Sequence, residues 1–369
     1  MSNETNDGVI GTLANAVAEY AAKPVEMSSL KWVQEEFAKE KDVWDSDEQR
    51  RQDASEIIAM TDAFDRERER YDAARAEGRS SANYLMGLID ESVNRSGAEN
   101  PGEIKKQIYS SVIEGGKAIL KEVGYEEDAD SSNEQLPEWN EENKGEMVRE
   151  MSGSLAGGAV LALGKISGAL VDAAEKRVEK GDDGDPAITS YIDKESGEKS
   201  CKGLGVPMSA AIVKCARRGL LGETIKKMPA DAITTATCVA SEGVKTLVRV
   251  GKGELTLDEG REKIAETVYV AAGAYIGKKA GEKAGRYLGN LVGGIFGPVG
   301  SAVCGKVCEK VGGFIGHKVG GVVGKVVHKV AKVYRKAKEW LGGKIGGVVR
   351  SVGSAIGRGC RKVLSFFGF

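Results

Sequence analysis

Apolar side chains recur at helical spacing through the first third of the chain. Ala54, Ile57, Ile58, Phe64 and Tyr71 punctuate a highly charged run from Ser46 to about Gly78. Residues three and four apart share a helix face, so this run predicts a long helix with a narrow buried stripe. Ser46 or Asp47 suits its N-cap, and acidic residues crowd its first turn. A second helix is predicted over 80–95, with Leu85, Leu88, Ile89 and Val93 on one face. A third follows Asn100, which can cap, and Pro101, which suits the first helical position; Ile104, Ile108, Val112, Ile119 and Val123 form its stripe before Gly124. Residues 1–124 therefore read as an acidic helical module.

Residues 125–147 are acidic, polar and interrupted by a proline, the composition of an exposed linker. Residues 148–260 form a helical middle region with a polar break at 181–202. Its opening stretch, 151–164, has no charge, but at 14 residues it is too short to span a bilayer alone. A small hairpin is expected around Ser196 and Gly197. Helical patterning returns over 207–250, with Ala211, Val213 and Cys215 near Leu220, then Val244, Leu247 and Val248.

Beyond residue 260 glycine takes over the pattern. It stands at Gly273, Gly277, Gly281, Gly285, Gly289, Gly293 and Gly297, then at Gly312, Gly316, Gly320 and Gly324, always four apart. On a helix each run makes a stripe without side chains, along which another backbone can approach closely. A helical glycine costs about 0.5–1 kcal/mol relative to alanine, so close packing or a membrane must compensate for a ladder of seven. The chain holds 50 glycines, against roughly 26 at the usual frequency, without a three-residue period and with only 7 prolines. That excludes collagen and makes the excess an ordered feature.

Between Arg286 and Lys306 lie 19 residues without a formal charge, near the roughly 20 of a spanning helix, although Asn290, Pro298 and several glycines dilute their hydropathy. Phe296-Gly297-Pro298 suits a hairpin tip. The expected arrangement is a helix over 262–296, a tight turn, and an antiparallel helix over 299–340. Residues 273–324 resemble, at the level of the motif, the glycine-zipper segments of membrane-associated and membrane-inserting bacterial proteins. That resemblance implies helix association in or on a bilayer.

Charge sharpens the picture. The overall balance of −2 hides 33 basic and 50 acidic groups in residues 1–260, net −17, and 20 basic against 5 acidic in 261–369, net +15. In the basic tail an apolar stripe of Val307, Val311, Ile315, Val319, Val322, Val326, Val330 and Val333 runs beside Lys318, Lys325, Lys329, Lys332 and Lys336. Trp340, Phe366, Phe367 and Phe369 are candidate interfacial anchors. A cationic amphipathic segment suits an anionic membrane surface, where each basic group contributes about 1 kcal/mol. Nucleic acid fits less well, because interleaved aromatics and a reading module are missing. The tail can equally face the acidic module of its own chain, which would mask it.

Catalytic and metal chemistry is sparse. GSAVCGKV (300–307) approaches a phosphate-binding loop, but Val307 replaces the magnesium-holding hydroxyl and no strand precedes it. Cys304 and Cys308 with His317 and His328 fit no compact zinc module. Asp182, Asp183 and Asp185 lack the spacing of a calcium loop. No enzyme activity, cofactor or metal is expected. The first residues have neither a basic start nor a long apolar run, so no secretory signal is expected, and synthesis is placed in a reducing cytoplasm, with membrane association or export by a signal-less route. The sequence thus predicts an all-α, membrane-interacting bacterial or phage effector or toxin. Homo-oligomerisation and a chaperone or immunity partner for the acidic module are the expected associations. The alternative is a soluble structural protein of a virion or secretion apparatus, using the zipper for packing alone.

Overall fold

A computed structural model of the chain describes residues 12–109 apart from 14 and 98, residue 145, and residues 202–279. These residues are 81% helical and contain no strand, so the fold is all-α.

Two helical stretches precede the predicted ones. Residues 15–21 are helical, and α1 (Ser29–Ala38) starts where the Ser28 hydroxyl accepts the Lys31 amide at 3.2 Å. Trp32, Val33, Glu36 and Phe37 form its buried face. Tyr20 meets Trp32 edge-on, with centroids 4.9 Å apart, and Phe37 packs on Trp44 at 4.5 Å.

The three predicted helices are present where described. In α2 (Asp47–Ala76) the Ser46 hydroxyl accepts the Gln49 amide, as the N-cap reading requires. Ala54, Ile57, Phe64 and Tyr71 are buried, whereas Ile58 is only half-buried and Met60 is fully enclosed. Gly78, at φ 81°, ends the helix by letting the Arg79 amide reach back to the Ala74 carbonyl at 3.0 Å. In α3 (Ser81–Arg95), Ser80 is the cap and all four expected core residues are buried. Residues 101–109 are helical, with the Asn100 side chain accepting the Glu103 amide at 3.3 Å.

The middle region contributes α4 (Lys202–Arg217), the single turn α5 (Glu223–Lys226) and α6 (Ala230–Lys252). Helix α7 (Leu257–Lys279) begins five residues before the expected start at 262. The cause is a reciprocal cap: the Thr256 hydroxyl accepts the Glu259 amide at 3.2 Å, and the Glu259 carboxylate accepts the Thr256 amide at 2.7 Å. The hairpin turn at 296–298, the second zipper helix, the acidic linker and the Ser196-Gly197 hairpin lie outside the described residues.

The described residues fall into two compact units. One takes those up to Asp65 together with 202–260; the other takes Arg66 to 109 together with 261–279. In the first, α4 packs against α1, α5 and α6. Helix α6 is buried on every side from Ala230 to Ser241, although four of those residues carry hydroxyls. Thr234, Thr235, Thr237 and Ser241 each donate to the carbonyl four residues earlier, at 2.7–2.8 Å. Satisfying the hydroxyl within its own helix is what allows so polar a helix to be enclosed. In the second unit, the remainder of α2, helix α3 and α7 surround a tyrosine-rich core of Tyr71, Tyr84, Tyr269 and Tyr275. Tyr71 stands edge-on to Tyr84 at 5.2 Å and stacks on Tyr269 at 6.5 Å.

Candidate functional site

Helix α4 is apolar for most of its length, with Val206, Met208, Ile212 and Val213 buried. Three cations stand at its C-terminal end, Lys214 and Arg217 in the last turn of the helix and Arg218 in the turn just beyond it. Carboxylates from the N-terminal segment meet each of them. Lys214 Nζ lies 2.6 Å from Glu36 Oε1 on α1 and 3.2 Å from Glu40 Oε1 just beyond it. Arg218 also pairs with Glu40. Arg217 forms a two-pronged pair with Asp53 on α2, Nε to Oδ2 at 2.8 Å and Nη2 to Oδ1 at 3.0 Å. The third edge of the guanidinium is taken by the carbonyls of Lys226 and Met228, at 2.5 and 2.9 Å.

Trp44 completes this clasp by donating its indole N–H to Asp53 Oδ2 at 2.9 Å. Lys214, Glu36, Arg217 and Asp53 side chains are only 5–7% exposed, while Glu40 at 35% and Arg218 at 27% form the solvent-facing edge. Burial alone would raise the Glu36 carboxyl, but its bonds with Lys214 and Lys39 overcome this and hold it below its ordinary value. Burial would likewise lower Lys39; its pairs with Glu19 and Glu36 prevail and raise it. Buried charges demand partners of this quality, because an unpaired one would carry its full desolvation cost.

The second unit contains the start of the glycine ladder. Gly273 is enclosed, and a Cβ placed on it would stand 3.1 Å from Glu67 Cγ, Glu67 Oε1 and Leu88 Cδ2. Here the missing side chain lets α7 approach α2 and α3 closely. Gly277, one turn on, has nothing within 4 Å of the corresponding position. The Glu67 carboxylate accepts the Tyr84 hydroxyl proton, and burial raises Glu67 above the ordinary carboxyl range despite that bond. Burial also pushes the Tyr71 hydroxyl, bonded to Ser81 at 2.7 Å, up to about 12. Arg68 donates to Thr267 at 2.8 Å, which ties α2 to α7 again.

Of the zipper positions, Gly273 and Gly277 are therefore placed. Gly281, Gly285, Gly289, Gly293, Gly297, Gly312, Gly316, Gly320 and Gly324 lie outside the described residues, as do Lys318, Lys325, Lys329, Lys332, Lys336, Trp340, Phe366, Phe367 and Phe369. Cys215 and Cys238 are buried thiols. Among the described residues no cluster of His, Cys, Asp and Glu could hold a metal ion, and no helix is long and apolar enough to cross a membrane.

Periodicity did not single out the clasp. A signal for it does exist: three cations at one end of an apolar helix, and Glu36 and Glu40 four apart on the α1 side. Nothing local couples the two, since Lys214 and Glu36 are 178 residues apart. Comparison with family models, curated proteins and solved structures gives no match.

Proposed function

We propose that the chain is a non-enzymatic, membrane-interacting protein, a bacterial or phage effector or toxin whose glycine-zipper segment and cationic tail associate with an anionic bilayer. The observation that carries this reading is the seven-glycine ladder beside a tail of net charge +15 over residues 261–369. Its beginning lends support: α7 is helical through Gly273 and Gly277, so the four-residue spacing there is a stripe along one face. Gly273 already permits a close helix approach. Stripes of small residues serve the same purpose between helices in lipid, where packing rather than the hydrophobic effect drives association. The basic groups supply attraction to anionic headgroups. A reducing cytoplasm as the place of synthesis, export by a signal-less route, a homo-oligomer and a partner for the acidic module belong to the same proposal.

A second reading is a soluble structural or interaction protein in which the ladder packs helices and touches no lipid. It is favoured by one observation, that Gly273 meets protein side chains.

Flotation of the full chain with phosphatidylserine-containing vesicles, combined with release of an entrapped dye, separates the two. Co-flotation that is lost when Lys325, Lys329, Lys332 and Lys336 are changed to Gln supports the membrane reading. Protein that stays at the bottom of the gradient and leaves dye entrapped sinks it in favour of the soluble one.

A further inference from the structure

We propose that the groove between α1 and the start of α2 binds a phosphate monoester. The inference does not rest on the membrane reading above: it concerns another part of the chain and a ligand that need not be a lipid. The carrying observation is a cavity of about 360 Å³ lined by Lys31, Gln34, Glu35 and Ala38 of α1 and by Arg50 and Arg51 of α2. A space of this size is within the range of small-molecule sites. Positions 31, 34, 35 and 38 share one face of α1 and make one wall; the two arginines make the other.

Asp47, the first residue of α2, positions both arginines. Its carboxylate accepts Arg50 Nη2 at 2.8 Å, and its carbonyl accepts Arg51 Nε at 3.2 Å. These bonds use one nitrogen of each guanidinium and leave the other prongs for a ligand. Arg50 Nε is enclosed and has no hydrogen-bond partner. An enclosed donor without an acceptor is costly, and a ligand oxygen that draws the guanidinium outward relieves it. On the opposite wall Lys31 Nζ stands 3.9 Å from Glu35, beyond hydrogen-bond distance, with both side chains more than half exposed. Lys31 is therefore free to turn toward a stronger anion.

Guanidinium forks take carboxylate and phosphate oxygens alike, and the placement of the donors decides between the two. A carboxylate offers two oxygens, which a single guanidinium occupies. A phosphate monoester offers three oxygens and a charge of about −1.5 to −2 at pH 7. Those oxygens suffice for Arg51 on one wall and for Lys31 and the Gln34 amide on the other. The lining carries three cations against Glu35 alone, while Asp47 pairs with Arg50 from outside it. Glu35 opposes an anion and limits its affinity. The same phosphate group occurs on small soluble esters and on the headgroup of phosphatidic acid, so the test keeps these two sources apart.

Limited phenylglyoxal modification of the full-length protein, mapped by peptide mass spectrometry, reads Arg51 directly and is blind to phosphate held by the basic tail. Glycerol 3-phosphate, vesicles of phosphatidic acid with phosphatidylcholine, and sodium chloride at matched ionic strength are compared. Arg51 is expected to react about fivefold more slowly in glycerol 3-phosphate than in chloride. Arg79, an exposed arginine paired with Glu77, is expected to react at the same rate in both. Protection of Arg51 by the vesicles alone, with Arg79 unchanged, supports the site with the lipid headgroup as its source. Equal reaction of Arg51 under all three conditions, or equal protection of Arg51 and Arg79, overturns the proposal. Two exposed substitutions complete the test. Lys31→Gln is expected to raise the phosphate needed for half-protection roughly tenfold, the effect of one lost charge-assisted bond. Glu35→Gln, which removes the opposing carboxylate, is expected to lower it. Half-protection that both variants leave unchanged overturns the proposal.

Discussion

Arg217 and Asp53 form a two-pronged ion pair between segments 164 residues apart, at 2.8 and 3.0 Å, with both side chains almost fully enclosed. Such a pair orients helices more than it strengthens them, because both ions leave water to make it. Its removal from one side only is a different matter, and that asymmetry is testable.

Asp53→Ala is expected to destabilise the protein by about 3–5 kcal/mol, since it leaves the Arg217 charge enclosed and unpaired. Replacing both partners, as Asp53→Leu with Arg217→Met, is expected to cost distinctly less. Urea denaturation followed by circular dichroism measures both. Equal losses for the single and double variants would contradict the pairing.

The first two rungs of the glycine ladder should respond oppositely to alanine. At Gly273 a methyl group meets Glu67 and Leu88 at 3.1 Å on an enclosed face. Overpacking of about 1–3 kcal/mol outweighs the helix-propensity gain of about 1 kcal/mol, so Gly273→Ala lowers the melting temperature. At Gly277 the space is open, and Gly277→Ala raises it by the propensity term alone. Thermal melts of the two variants against wild type check the signs.

Two enclosed carboxyls should give opposite pH dependence. Glu67 is raised above its ordinary 4.5 by burial, so the native state holds its proton more tightly than the unfolded chain does. Its contribution is present below pH 4.5 and is lost as pH rises through the native value. Glu36 is lowered by Lys214 and Lys39 against the effect of burial; its contribution is present above 4.5 and is lost as pH falls through its native value. Denaturation series from pH 3 to 7 on Glu67→Gln and Glu36→Gln are expected to remove one slope each. Identical changes in both variants would contradict the assigned directions.

The hydroxyls enclosed in α6 are already satisfied by carbonyls of their own helix, Thr237 by Ile233 at 2.8 Å. Those carbonyls keep their helical amides when the hydroxyl goes. Thr237→Val is therefore expected to change stability by less than about 1 kcal/mol. A urea-derived loss of more than about 2 kcal/mol would mean that the hydroxyl serves another group.

What periodicity, capping residues and the glycine count determine by themselves is local. Ser46 and Asn100 announce their helices because a cap acts within three residues. Leu85, Leu88, Ile89 and Val93 mark a face because 3.6 residues make a turn. The four-residue spacing of Gly273 and Gly277 is legible for the same reason.

Tertiary structure decided the rest. Met60 rather than Ile58 lies fully in the core, because the neighbouring helices select among adjacent apolar positions. Helix α6 is enclosed despite its threonines, because hydroxyl satisfaction and packing, not mean hydropathy, set the cost of burial. Gly273 is crowded and Gly277 open, a distinction invisible in their identical spacing. Lys214 and Arg217 at the end of α4, with Arg218 just beyond it, acquire three carboxylates from far upstream, since which charges meet depends on how the chain brings distant helices together. Helical order is written in nearest neighbours along the chain; the choice of partner is made in space.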